Sequence, residues 1–423
     1  MKRVWCLLLI AFVLLGCVGE DAPVVLMPSP VAEATPVETQ ASAAPAPTPA
    51  PTAVPTETPT EAPTATPTPS FEDRLRTYID TMTVEEKIGQ LCMFGFSGTR
   101  EISSEFKAIL REYRIGNVIL YGQNMARTNS DGGFSQCRKL SDSVRKASDS
   151  IIPLLISTDV EGGSVTRFKW KKSLSSARTL GKKNDTDLAE EQFRYIAEGL
   201  LSAGINTDLA PCLDVCREPE DSFLGKRIIS ADAERAARIG VACIEGLHDG
   251  GCLSIVKHFP GHGATNTDSH ESTPTVNKSL DALSLYELVP FAEGLKSADG
   301  VMVAHIRYPK IDEEHIASQS EVFITEILRE SFGFDGIVMS DDFRMAGLRK
   351  QTSPKDGAVQ FILAGGDLIL CGANHTYQKQ ILAGLYAAVE DGTISEARLN
   401  ESVYRILSAK IRVTGWDPFE NED

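Results

Sequence analysis

From about residue 71 to residue 416 the chain alternates short apolar runs with longer amphipathic stretches. The apolar runs are Cys92–Phe96, Asn117–Tyr121, Pro153–Thr158, Asn206–Ala210, Leu253–His258, Gly300–His305, Gly336–Asp341 and Asp367–Cys371. Each has strand length and is bounded by glycine, proline or polar residues. Between them, Glu190–Ala203, Ala233–Leu247, Leu283–Ala298 and Ser320–Phe332 space their apolar residues for one face of a helix. Two more helices are predicted at Tyr377–Glu390 and Ser395–Val413. At the front, Phe71–Met82 reads as a helix. Thr83 with Glu86 three residues on has the capping-box pattern that opens another. Eight strand–helix units in series predict an α/β fold, a (β/α)8 TIM-type barrel with right-handed crossovers. A body of about 345 residues suits one such barrel with extended loops.

The N-terminal stretch follows another pattern. Lys2 and Arg3 precede an apolar run from Val4 to Leu15. That is too short to remain as a membrane-spanning helix and has the form of a secretory signal over 1–16. Leu14-Leu15-Gly16-Cys17 resembles a bacterial lipobox, which implies lipidation of Cys17. Residues 17–70 are rich in Pro, Thr and Ala and hold too little apolar surface to fold. In an extended polyproline conformation such a linker reaches on the order of 150 Å. The expected organisation is a signal peptide, a lipidated cysteine with a disordered stalk, a folded domain over 71–416 and a short tail over 417–423. The expected location is the outer face of a bacterial cell membrane, reached through the lipid anchor.

Composition narrows the partners. The net charge of −16 argues against nucleic acid. The seven cysteines of the body sit mostly inside apolar runs, which reads as buried free thiols and not as a disulfide framework. Cys212 and Cys216 have no matching second pair for a zinc site. The domain is expected to act as a monomer without a cofactor.

If the strands close into a barrel, the polar residues that follow them converge on one rim, where such barrels keep their chemistry. They are Asn124, Asp159, Glu161, Asp214, Lys257, His258, His305, Asp341 and Asp342, and the opposite face shows no comparable set. The stretch from Lys257 to His270 is the densest, with three histidines, a lysine and an aspartate in fourteen residues. His258, His262, Asp268 and His270 are ligand types for zinc. However, Phe259-Pro260-Gly261 separates the first two, so they do not share a helix face, and no metal is expected. His262 has a structural reading, bonded to loop backbone. Asp268-Ser269-His270 can instead place a carboxylate on an imidazole and fix its tautomer for proton transfer. In Gly336–Asp342 three apolar residues lead into two acids. Asp341, at the strand tip, can attack an electrophilic carbon or hold a metal, and Asp342 is placed as the cap of the next helix. Asp159 and Glu161, with Arg167 and Arg227, suit a hydroxyl-rich neutral substrate such as a sugar.

These residues in this order resemble glycoside hydrolase family 3, in its β-N-acetylglucosaminidase branch. The resemblance rests on Lys257–Gly263 with Asp268-Ser269-His270, Asp159–Gly163 with Arg167, and Ala210-Pro211-x-Leu213-Asp214-Val215. It extends to Gly225-x-Arg227, Ala304-His305-Ile306-x-Tyr308-Pro309 and Ser340-Asp341-Asp342-x-x-Met345. It implies that Asp341 is the nucleophile of a retaining mechanism, His270 the acid/base and Asp268 its partner. It also implies that Asp159, Arg167, Arg227, Lys257 and His258 hold the sugar. Two departures concern the outer subsites: Ser164 stands where the family often has arginine, and Ile228-Ile229 where it often has Ser-Phe.

The expected activity is release of terminal β-GlcNAc from peptidoglycan fragments (muropeptides) or other GlcNAc glycans. A phosphorylase or a mixed-specificity β-glucosidase would keep the same residues. A non-catalytic glycan-binding lipoprotein would have no use for Asp341, Asp268 and His270 together.

Overall fold

The computed structural model describes residues 69–220, 222–265 and 272–420. The signal, Cys17 and nearly all of the linker lie outside the described residues, as do Asp268 and His270. Eight strands form one parallel sheet: β1 Cys92–Gly95, β2 Asn117–Ile119, β3 Leu155–Thr158, β4 Thr207–Asp208, β5 Leu253–Phe259, β6 Gly300–Val303, β7 Ile337–Ser340 and β8 Ile369–Cys371. Each strand from β1 to β6 pairs with the next, and β8 pairs with β1. A parallel bridge between Met339 and Leu368 brings β7 against β8, and Ser340 N–H donates to Leu368 O at 3.0 Å. The barrel read from the sequence is therefore present, with every expected strand in its place.

The strands are hydrophobic because they are buried throughout. Long helices over Thr186–Ser202 and Ala233–Asp249 pack their apolar faces on them. Thr83 and Glu86 form the expected capping box. Two helices differ from expectation. Leu283–Ala298 is broken into Leu280–Ser284 and Val289–Gly294, where Pro290 sits in the first turn of the second and tolerates no helix running through it. The stretch within Ser320–Phe332 is wound as a π-helix over Val322–Ser331. No helix among the described residues is long and apolar enough to cross a membrane.

The face opposite the predicted site also carries charge, contrary to expectation. Asp367, just before β8, is fully buried and meets Arg329, Arg398 and Arg405. Asp299, just before β6, bonds His248 Nε2 at 2.7 Å and the Arg412 guanidinium. Lys410 is buried with its Nζ on Gln90 Oε1 and Gly116 O, at 2.5 and 2.8 Å, and burial lowers its pKa. These groups tie the C-terminal helix Glu396–Thr414 to the strand starts. Their partners lie far away in sequence, so reading only the strand ends misses them.

Candidate active site

At the C-terminal ends of the strands lies a cavity of about 360 Å³. Asp159, Arg167, Arg227, Lys257, His258 and Asp341 all line it. The segment 266–271, with Asp268 and His270, begins one residue after the turn His262–Ala264, and His262 itself lines the cavity.

The floor is built on β5. Neighbouring residues of a regular strand face opposite ways, yet Lys257 and His258 both line the cavity. There the pairing with β6 shifts register between Lys257 and Phe259, and the Lys257–His258 peptide is cis. Lys257 is 2% exposed and lies between two acids, 2.9 Å from Asp159 Oδ1 and 2.7 Å from Glu161 Oε1. Arg227 forks onto Glu161 at 2.8 and 2.9 Å, and Arg167 reaches Asp159 Oδ2 at 2.7 Å. Arg167 does so from a left-handed backbone, φ 52°. That conformation costs a non-glycine residue roughly 1–3 kcal/mol and is characteristic of functional sites.

Electrostatics follow from this network. Burial raises the carboxyl pKa of Asp159 and of Glu161, but the surrounding cations outweigh it. Lys257 and Arg167 hold Asp159 below the usual carboxylate range, and Arg227 with Lys257 lowers Glu161 to about 2. The two acids in turn outweigh the burial of Lys257 and keep its ammonium charged.

Beside the knot, fully buried Asp214 organises the start of the His-rich loop. It accepts from His258 Nδ1 at 2.6 Å and from the His262 backbone N–H at 2.5 Å. His262 bonds Thr265 Oγ1 through Nδ1, consistent with a role in loop structure, and burial lowers its pKa to about 4. A Cβ on Gly263 would lie 2.1 Å from Val215 O, so its need is close packing.

Cys212, Asp214 and His258 bring potential metal ligands together. The donor set does not fit a metal centre. Burial and the Asp214 charge hold the Cys212 thiol protonated, and it donates to Asp214 Oδ2 at 3.1 Å, the oxygen that His258 also uses. The other cysteines of the body are likewise free, and all but the half-buried Cys216 are buried.

Asp341 follows β7 and is buried at the cavity wall. Its Oδ1 accepts from the Asp342 N–H at 2.8 Å. Burial raises its pKa, but the nearby His258 and His305 imidazoles and that N–H bring it below the ordinary value. Asp342 is not a helix cap. The helix Ala346–Arg349 begins after Met345, with no side-chain cap. Asp342 instead accepts from the Tyr121 hydroxyl at 2.8 Å and from Arg344 Nη2 at 2.6 Å. His305 is not on the rim but wholly buried beneath it, with Nδ1 on Ser318 Oγ at 2.7 Å. Ile228 and Ile229 are buried, so the segment after Arg227 gives the cavity no exposed side chain there.

The sequence places Glu161 and Asp214 on the rim but does not show their partners, and it carries no sign of Tyr121 or Arg344. That Glu161 pairs with both Arg227 and Lys257 is a matter of charge matching, since three cations in one mouth need more acid than Asp159. Tyr121 has no local signal, because its partner Asp342 is far away along the chain.

A closed parallel barrel with ionised, mutually held acids and bases at its C-terminal mouth has the architecture of the barrel enzymes. Residues 83–409 match the model of the glycosyl hydrolase family 3 N-terminal domain. A β-hexosaminidase of Tolumonas auensis is 35% identical over 292 residues, covering 67% of this chain and 84% of that protein. The β-hexosaminidase A of Pseudoalteromonas piscicida is 30% identical, and the match spans 73% of this chain but 55% of that one. A solved family 3 β-N-acetylglucosaminidase from a Paenibacillus species superposes with a TM-score of 0.74 at 38% identity, over 78% of this chain and 63% of that one. The chain belongs to glycosyl hydrolase family 3.

Proposed function

We propose that this glycoside hydrolase is a retaining exo-β-N-acetylglucosaminidase that uses Asp341 as nucleophile. One observation carries the reading. Asp159, Glu161 and Asp342 line the cavity, and each is ion-paired to lysine or arginine. Among the described residues, no lysine or arginine pairs with Asp341. A carboxylate that is ionised but not clamped is free to form a bond.

In this mechanism Asp341 attacks the anomeric carbon while His270, oriented by Asp268, protonates the departing oxygen. The glycosyl–aspartate ester is then cleaved by water, which gives its proton to His270. Two inversions at one carbon give net retention. Asp159, Arg167, Arg227, Lys257 and His258 hold the hydroxyls of the terminal sugar. The substrates are GlcNAc-terminated peptidoglycan fragments or related glycans outside the cell. The domain acts as a monomer, exported and anchored through lipidated Cys17, with residues 17–70 as its stalk.

The test is hydrolysis of a chromogenic β-GlcNAc substrate, followed by NMR of the first-formed anomer. The β-anomer is expected, with activity lost in Asp341→Ala and His270→Ala while folding is retained. The α-anomer appearing first, or an undiminished His270→Ala enzyme, would overturn the mechanism. GlcNAc-1-phosphate formed in phosphate buffer would identify a phosphorylase instead. Loss of detergent-phase partitioning in Cys17→Ser tests the anchor.

A further inference from the structure

Outside the barrel mouth lies a second cavity of about 230 Å³, which shares no lining residue with the first. Arg178, Lys182, Arg235 and Glu220 supply its charges, and Pro219, Ile229 and Ala231 an apolar wall. Three cations thus face one acid, in a chain whose net charge is −16. Concentrated positive charge in a concave surface attracts an anion.

The one acid is loosely held. Glu220 has a side chain 76% exposed, with Oε1 2.9 Å from Arg178 Nη1 and 3.9 Å from Lys182 Nζ. Exposed carboxylate pairs of this kind contribute little, because water and salt screen them. The cations beneath it are better fixed. The Arg178 side chain is only 10% exposed, and its Nε and Nη2 donate to Ile228 O and Gly225 O, both at 2.9 Å. Its Nη1 is therefore a donor set in place, with the Glu220 carboxylate as its acceptor.

Arg235 adds a donor that nothing meets. Its Nε is buried and has no hydrogen-bond partner among the described residues. Its one ion pair among them is with Asp232, at 3.8 Å. A buried donor left without an acceptor is costly, and a ligand oxygen would relieve that cost. The Glu220 carboxylate satisfies Arg178 and leaves Arg235 unmet.

We propose that this cavity is a binding site for a phosphate group, held by Arg178, Lys182 and Arg235 in place of the Glu220 carboxylate. A phosphate brings more charge than a carboxylate and more acceptor oxygens, which suits two guanidinium groups and an ammonium. The cavity is roughly eight times the ~30 Å³ share of one water, so a short carbon chain fits beside the apolar wall. Inorganic phosphate and a small phosphate monoester share the required chemistry. The site is separate from the one in which Asp341 reacts, and it stands whether or not the proposed activity does.

The full-length chain is titrated by calorimetry with inorganic phosphate and with glycerol 3-phosphate at constant ionic strength, with chloride as control. Saturable binding is expected. Arg235→Gln and Lys182→Gln are each expected to weaken it by about tenfold or more, the scale of one charge-assisted hydrogen bond. Glu220→Gln is expected to tighten it, a gain that a folding defect would not produce. Tighter binding of the ester than of phosphate assigns a phosphate monoester as occupant, and the reverse assigns inorganic phosphate. Phosphate held in the barrel mouth would ignore all three substitutions. Binding unchanged in the two cation variants, or no saturable binding to the wild type, would overturn the site.

Discussion

His258 Nδ1 lies 2.6 Å from Asp214 Oδ2, and Asp214 is fully buried. The far nitrogen of the same ring, Nε2, lies 3.2 Å from Arg227 Nη2. Arginine only donates, so Nε2 accepts and the ring proton is on Nδ1, directed at Asp214. An acid remote from the cavity thereby sets which edge of His258 faces it.

Replacing Asp214 by Asn removes an anionic acceptor shared by His258, the His262 N–H and Cys212. Leaving buried donors poorly matched costs about 1–3 kcal/mol, roughly a 5- to 150-fold loss of rate if it is felt in the transition state. The expected result is a fall in kcat/KM of that size on a chromogenic GlcNAc substrate. Circular dichroism should show an intact barrel.

Lys257 is the only described cation that pairs with both Asp159 and Glu161. Lys257→Met leaves two buried carboxylates with reduced compensation. Removing one partner of a buried pair costs about 3–5 kcal/mol. Urea unfolding should show a loss of that order together with loss of activity. A stability unchanged within 1 kcal/mol (~1, the scale of an exposed pair) would contradict the buried geometry.

Stability should fall with acid in two stages. His262, with its pKa lowered from 6.5 to about 4, favours the fold when neutral; its contribution is full above pH 6.5 and is lost as pH falls toward 4. Glu161, lowered from 4.5 to about 2, favours the fold when ionised; its contribution is full above pH 4.5 and is lost as pH falls toward 2. Each shift corresponds to about 3 kcal/mol. Thermal melting across pH 2–8 should decline from near pH 6.5 downward, and His262→Gln should flatten the upper stage.

Gly263→Ala should damage the site with little effect on the core. Its added methyl would meet Val215 O at 2.1 Å and displace the turn that leads into the Asp268–His270 segment. At Gly333, by contrast, nothing lies within 4 Å and only the positive φ of 64° is strained. Activity is expected to fall at least tenfold (about 1.4 kcal/mol of barrel-mouth positioning) in the first variant and to persist in the second.

The strand pattern was legible because each strand is buried on both faces, and such strands appear as unbroken apolar runs. The Lys257–His258 and Asp341 positions were legible for a related reason: polar residues directly after such runs fall on one rim. Asp342 was misread because an acid before a helix is locally indistinguishable from a cap. Its real partners, Tyr121 and Arg344, come from the end of β2 and from beside β7.

The sequence by itself determined the order of the strands and the barrel class, and it placed Asp159, Arg167, Arg227, Lys257, His258 and Asp341 at the mouth, because these follow from periodicity and from the parallel connection of successive strands. Only the tertiary structure decided how the charges pair. Pairing depends on distances between strands that are remote in sequence. Those distances leave Asp341 unclamped while Asp159, Glu161 and Asp342 are held.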